Sequence, residues 1–183
     1  MKRFGLAILA VMALGVLAAR PATAQGSLRY GVSAGLLMPM GNYNTADKPG
    51  FVAGGGATYW LTGGSIGIRG DVSYSQTSHD GGIGGHSKIA GGMASVVYAL
   101  NPASSPARIM ITGGLGYYNV KVDATGFGSA SESKIGFGGG AAVAFKLGTG
   151  STRLVVGSRF TSVSTTGGST TFLPLTVGLT FGK

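Results

Sequence analysis

The stretch Thr171-Phe172-Leu173-Pro174-Leu175-Thr176-Val177-Gly178-Leu179-Thr180-Phe181 is apolar at every odd position from Leu173 onward, while the even positions between hold Pro, Thr, Gly and Thr. Side chains on a strand point alternately to its two faces. The segment therefore predicts a strand with one wholly apolar face and one small, mildly polar face. In a water-soluble sandwich the apolar face would meet a core. In a barrel that crosses a bilayer it would meet lipid, with the polar face lining the lumen. The choice depends on whether the rest of the chain repeats the pattern.

Seven further segments repeat it. Residues 28–38 set Leu28, Tyr30, Val32, Ala34 and Leu36 against Arg29, Gly31, Ser33 and Gly35. Residues 51–61 put Phe51, Ala53, Gly55, Ala57, Tyr59 and Leu61 on one face, and in 66–75 Ile66, Ile68, Val72 and Tyr74 alternate with Arg69, Asp71, Ser73 and Ser75. Residues 89–100 suit either parity. We assign Ala90, Gly92, Ala94, Val96, Tyr98 and Leu100 as outward, because the other choice puts Ser95 in lipid. Residues 108–122 present Ile109, Ile111, Leu115 and Tyr117 opposite Arg108, Thr112, Gly114 and Gly116. In 135–147 Phe137, Gly139, Ala141, Val143, Phe145 and Leu147 oppose a Gly/Ala row that ends in Lys146. In 152–163 Leu154, Val156 and Phe160 oppose Arg153, Val155, Gly157 and Arg159. With the last segment this makes eight strands, an even number as single-chain bacterial barrels require.

The connections alternate in length. Residues 62–65 and 148–151 are tight and glycine-rich, and 101–106 is slightly longer. The others, 41–49, 76–87, 123–134 and 164–170, are longer and polar. Short turns at one end and longer loops at the other match the periplasmic and extracellular ends of a membrane barrel. The aromatics sort to the same two ends. Tyr30, Tyr59, Tyr98, Phe145 and Phe181 face outward near the short turns, and Phe51, Tyr74, Tyr117, Phe137 and Phe160 face outward near the long loops. Eight residues separate Phe51 from Tyr59, roughly 20 Å of height for a tilted strand, close to the apolar band of such barrels. A sandwich core would spread its aromatics through the middle instead.

The front of the chain reads as a cleavable signal peptide over residues 1–24, with the barrel over 25–183. Lys2 and Arg3 precede an uncharged, almost wholly apolar run from Phe4 to Ala19, and Ala22-Thr23-Ala24 supplies a small-x-small cleavage site. The run is short for a membrane helix, which needs about 20 residues. There is no Cys, so neither disulfides nor thiolate metal sites are available. Gly is abundant at 36 residues without a period of three, and only 10% of residues are charged, which excludes collagen-like and highly charged disordered chains. The formal charge of +9 includes Lys2, Arg3 and Arg20, leaving +6 on the mature chain.

On these strands, turns and belts the chain resembles the small eight-stranded outer-membrane β-barrels of the OmpA/OmpX-like type over its whole mature length. The resemblance implies an all-β, antiparallel, up-and-down transmembrane barrel in the outer membrane of a Gram-negative-type bacterium, exported through the Sec pathway and monomeric. It also implies that the barrel-assembly machinery recognises the C-terminal strand, although Gly182 and Lys183 follow the closing aromatic Phe181, where that family usually stops. Nothing follows Lys183, so the peptidoglycan-binding domain some of these barrels carry is not expected.

The charges divide by position. Lys48, Lys88, Lys121 and Lys134 fall at the loop rim with Asp47, Asp80, Asp123 and Glu132, and these charges cancel. The lumen and its short-turn mouth hold Arg29, Arg69, Arg108, Lys146, Arg153 and Arg159 against the single Asp71. The excess is internal, which argues against nucleic-acid binding. An eight-stranded barrel is only wide enough for its own side chains, and inward glycines leave space that long arginines could fill. Asp71 is expected to pair with Arg69 or Arg159, since unpaired charge in a narrow interior is costly. Arg29, Arg108 and Arg153 better suit side chains that simply reach periplasmic water.

Little chemistry is legible. His79 and His86 lie in one glycine-rich segment, 76–86, beside Ser78 and Asp80. A Ser, a His and an Asp adjacent in sequence are weak support for a catalytic site, because catalysis needs them converging in space; a solvated loop is the plainer reading. A metal site from His79, Asp80 and His86 is equally weak, and no complete dinucleotide or phosphate-loop motif occurs. No catalytic residue, metal or cofactor is therefore assigned. The expected role is structural or surface interaction through four extracellular loops, with the rim lysines meeting lipopolysaccharide phosphates. A narrow anion-preferring pore for small solutes and a lipid A-modifying barrel enzyme are the alternatives.

Overall fold

The computed structural model describes residues 26–45, 47–79, 84–124, 128–165 and 168–182. The expected signal peptide, Asp80 and Lys183 lie outside these residues. Eight strands follow in chain order: β1 (Ser27–Met40), β2 (Gly50–Trp60), β3 (Ile66–Ser78), β4 (Gly85–Ala99), β5 (Ala107–Ala124), β6 (Gly128–Lys146), β7 (Arg153–Thr165) and β8 (Gly168–Phe181). A short 3-10 helix, Gly41–Thr45, follows β1. Each strand pairs antiparallel with the next and β1 closes on β8, an up-and-down barrel with no open sheet edge around its waist.

The register fixes the stagger. From Arg29 the partners run through Thr58, Arg69, Ser95, Gly114, Gly138, Thr161 and Phe172, and return to β1 at Pro39, 10 residues further along. With eight strands this corresponds to a tilt of about 40°. Every inward position thus sits above its neighbour on the preceding strand, so side chains rise round the lumen as a spiral.

The face of each strand follows the alternation. Val32, Leu36, Ile68, Val96, Leu115, Phe137 and Val177 are among the large apolar residues left exposed on the outside, a surface that only lipid can satisfy. All ten belt aromatics lie on that face. Within the lower belt the Tyr30 and Phe181 ring centroids are 6.4 Å apart, and within the upper belt Phe51 and Tyr74 are 6.1 Å apart.

Strand ends depart from the expectation at the loop side. Residues 76–78, 85–87, 123–124, 128–134, 164–165 and 168–170 continue the strands instead of forming loops. Antiparallel backbone bonds do not need apolar side chains once the strand has left the lipid, so the alternation fades while the pairing continues. The β5–β6 hairpin climbs furthest. β6 pairs with β5 from Gly128 up, but its register with β7 starts only at Gly136 opposite Val163. The β5–β6 hairpin thus extends past the point where the described β6–β7 register begins. At the other end the turns are tight, and Gly63, Gly64 and Gly148 supply their positive φ of 89°, 68° and 60°.

Candidate functional site, a lumen closed at both mouths

At the short-turn mouth, inward positions of β1, β5 and β7 carry Arg29, Arg108 and Arg153. Each reaches backbone carbonyls of a different turn. Arg29 Nη1 donates to Ser151 O at 2.8 Å, beyond β6. Arg108 Nη2 donates to Gly64 O, between β2 and β3. Arg153 donates to Ala103 O at 2.6 Å and Ser105 O at 3.2 Å, between β4 and β5, and also to Ala144 O. The Arg108 guanidinium sits 3.8 Å over the Trp60 ring, a cation–π contact inside the barrel. Arg108 and Arg153 are only 5% and 7% exposed. The expectation that these three simply reach periplasmic water is thus corrected for Arg108 and Arg153, which turn carbonyls capture, while Arg29 bonds Ser151 O and stays partly exposed. Lys146, paired in register with Arg153, remains exposed at the mouth.

In the middle, Arg159 grips Asp71 with both branches, Nη2 to Oδ1 at 2.9 Å and Nη1 to Oδ2 at 3.1 Å. Arg69 Nε stands 3.7 Å from Oδ2. A cavity of about 120 Å³ reaches from this cluster to Tyr118 and Phe172.

Above it Leu37, Val52, Ile89, Tyr118, Val120, Val163 and Phe172 form an apolar plug, with Tyr118 and Phe172 edge-on at 6.2 Å. Inward glycines make room here for a ring instead of for arginines: a Cβ at Gly91 or Gly116 would run into the Tyr118 ring.

A polar cap covers the plug. Asp47, expected at the rim, is instead 3% exposed. Thr77 Oγ1 donates to its Oδ1 at 2.8 Å and Ser87 Oγ to its Oδ2 at 3.0 Å. The Tyr43 hydroxyl bonds Thr77 Oγ1 at 2.8 Å. Burial, with Asp47 adding to it and the Thr77 bond opposing, pushes the Tyr43 hydroxyl up to about 12. Pairing Asp47 with His79 across a β-bridge draws this segment over the barrel.

His79 belongs to the cap, which corrects its reading as a solvated loop residue. Its Nε2 is 3.2 Å from Ser87 Oγ and 3.9 Å from Asp47 Oδ1. Serine and carboxylate thus face the same ring nitrogen. A nucleophile's base needs its acid on the opposite nitrogen, and Ser87, 2% exposed, already gives its proton to Asp47. His86 lies apart, on β4 opposite Asp123. Among the described residues no three His, Cys, Asp or Glu gather as metal ligands.

On the rim, Lys88 and Lys121 flank Asp123 at 3.2 and 3.0 Å, and Lys134 pairs with Glu132 at 2.9 Å. Lys48 is exposed, and its backbone amide bonds Ser78 O. Just above the outer aromatics, Asn119 bridges Ser131 and Ser133.

Sequence reading missed Trp60, Tyr118, Tyr43, Thr77 and Ser87. Parity could have found Trp60 and Tyr118, since each falls on the inward face beside an outward tyrosine; the cap offers no such signal.

The family model described as outer membrane protein β-barrel domain matches residues 6–181. Among curated proteins, none matches. Three of the solved structures similar in fold illustrate the likeness. Neisserial surface protein A is 19% identical, with 86% of this chain and 99% of that one covered and a TM-score of 0.65. A major outer membrane protein from Thermus thermophilus is 14% identical, covering 87% and 100%, with a TM-score of 0.59. The N-terminal barrel domain of Pseudomonas aeruginosa OprF is 15% identical, covering 86% and 100%, with a TM-score of 0.53.

Proposed function

Because the chain belongs to the outer membrane protein β-barrel family, we propose that it is a closed, non-conducting and non-enzymatic barrel with a structural or surface-interaction role. The observation that carries this reading is closure at three levels: arginines bonded to turn carbonyls, the Asp71–Arg159 pair, and the apolar plug under its polar cap. The β5–β6 hairpin, which stands above the described β6–β7 register, supports the interaction half of the reading. A hairpin that projects beyond its neighbouring strand can add a strand from another molecule.

Export through the Sec pathway, in a Gram-negative-type envelope, suits the apolar front of the chain, and insertion by the barrel-assembly machinery suits the C-terminal strand. One barrel closes on itself, so a monomer satisfies every strand at the waist. Lys48, Lys88, Lys121 and Lys134 lie where lipopolysaccharide phosphates would stand. The Lys88–Lys121 pair around one carboxylate retains net positive charge for that contact. The mature chain's basic excess faces the lumen, which argues against a nucleic-acid partner.

Planar-bilayer recording of the folded protein tests the proposal. No steady steps are expected. Reproducible anion-selective steps would instead favour the narrow pore, to which the inward arginines would lend that selectivity.

A further inference from the structure

The arginines of the short-turn mouth do more than close it. A second cavity, of about 60 Å³, opens among them. Arg29, Arg69, Arg108 and Arg153 line it, together with the hydroxyl-bearing Thr58 and Thr112 and the indole of Trp60. No carboxylate of the described residues lines it. Asp71 is engaged with Arg159 one level higher and reaches only Arg69 of the lining arginines, at 3.7 Å, and Asp47, Asp123 and Glu132 belong to the opposite mouth. Arg29 and Arg108 both lie close enough to Arg153 to repel it. Turn carbonyls are neutral acceptors: they orient Arg29, Arg108 and Arg153 and leave the charge of these three uncompensated.

A second observation points to an occupant. The Nε of Arg108, a residue only 5% exposed, has no hydrogen-bond partner, and neither has Thr112 Oγ1 in the same wall. Buried donors of this kind cost stability unless something accepts from them. Room for one water is about 10–15 Å³, so the cavity holds a group of roughly four or five heavy atoms, the size of a tetrahedral oxyanion.

The geometry points to a built anion site at the short-turn mouth that takes one small tetrahedral oxyanion, inorganic phosphate or sulfate. Guanidinium forks and oxyanions match in charge and in spacing. A free anion meets this site at the outer end of the closure, where Arg29 stays partly exposed, whereas the phosphate of a membrane lipid stands outside the barrel wall. The bound anion offsets much of the arginines' mutual repulsion while they hold three turns at once.

The test is calorimetric titration of the folded, detergent-solubilised protein with inorganic phosphate and, separately, with glycerol 3-phosphate, the headgroup fragment of a phospholipid. Inorganic phosphate is expected to bind one to one, and Arg108→Gln to weaken it by about tenfold or more, as loss of a charge-assisted contact does. Should Arg108→Gln fail to fold, Thr58→Asp decides. It sets a carboxylate between Arg29 and Arg69, an internal occupant expected to abolish phosphate binding while the heat-modifiable fold persists. Absence of wild-type binding at tens of millimolar phosphate overturns the site, as does binding untouched by both substitutions. Equal affinity for glycerol 3-phosphate overturns the assignment to a free inorganic anion.

Discussion

The short-turn mouth is shut by three long cations that bond backbone carbonyls, while the loop mouth is shut by packed apolar side chains under a neutral-hydroxyl and carboxylate network. The first closure is electrostatic, reaches across turns and concentrates positive charge. The second depends on shape and on a single buried carboxylate. Between them the Asp71–Arg159 pair ties β3 to β7 across the lumen. The difference teaches that closure in a narrow barrel does not require a hydrophobic core throughout. Where strands end, unpaired carbonyls become acceptors for arginine. Where strands continue past the lipid, hydroxyls and a carboxylate satisfy one another over the plug.

Tyr118→Ala should have the largest effect, because it empties a space that glycines have already vacated. Loss of a buried aromatic of this kind costs about 3–5 kcal/mol, read as a lowered denaturant midpoint for the folded gel band. Conductance should stay absent, since the lower mouth still holds; steps from this single variant would break the idea of two independent closures. Asp71→Ala should cost about 3 kcal/mol or slightly more by leaving Arg159 without its partner, and a much smaller loss in the same unfolding experiment would mean that water solvates the cluster.

Arg153→Gln should cost about 1.5–3 kcal/mol, as expected for hydrogen bonds from a charged donor. Its effect should concentrate in faster hydrogen exchange of the β4–β5 turn, where Ala103 and Ser105 lose their donor. Uniform change over the barrel would show that this clamp is not local.

The smallest effect should come from alkali. The Tyr43 hydroxyl ionises near 12 in the folded protein and near 10 when unfolded. Its contribution is complete below about pH 10 and is lost as pH rises toward 12. Wild-type protein should therefore lose cap protection over that window in hydrogen exchange, and Tyr43→Phe should lose less. Identical profiles would assign the alkaline change to other groups.

Much of this was legible in residue order. Parity alone placed Tyr30, Phe51, Tyr74 and their companions outside and Asp71 within, because lipid imposes the same demand on every strand it touches. It could not show that residues 128–134 are strand, since above the membrane backbone pairing proceeds with Ser, Glu and Lys, whose side chains carry no alternation. His79 and Asp47 are far apart in sequence and meet only through the β3 register, so the adjacent Ser78 and Asp80 drew attention instead.

The sequence by itself determined the eight strands, their outward face and the two aromatic girdles, because each depends on a local alternation read against a uniform apolar solvent. Only the tertiary structure decided which closure sits at which mouth. The stagger of 10 residues sets which inward side chains share a level, and it brings Arg153 to the carbonyls of a distant turn and Tyr118 to the gap above Gly91. Backbone carbonyls are the same at every position and leave no mark in the residue order, so an arginine that seeks one cannot be told in advance from an arginine that seeks water.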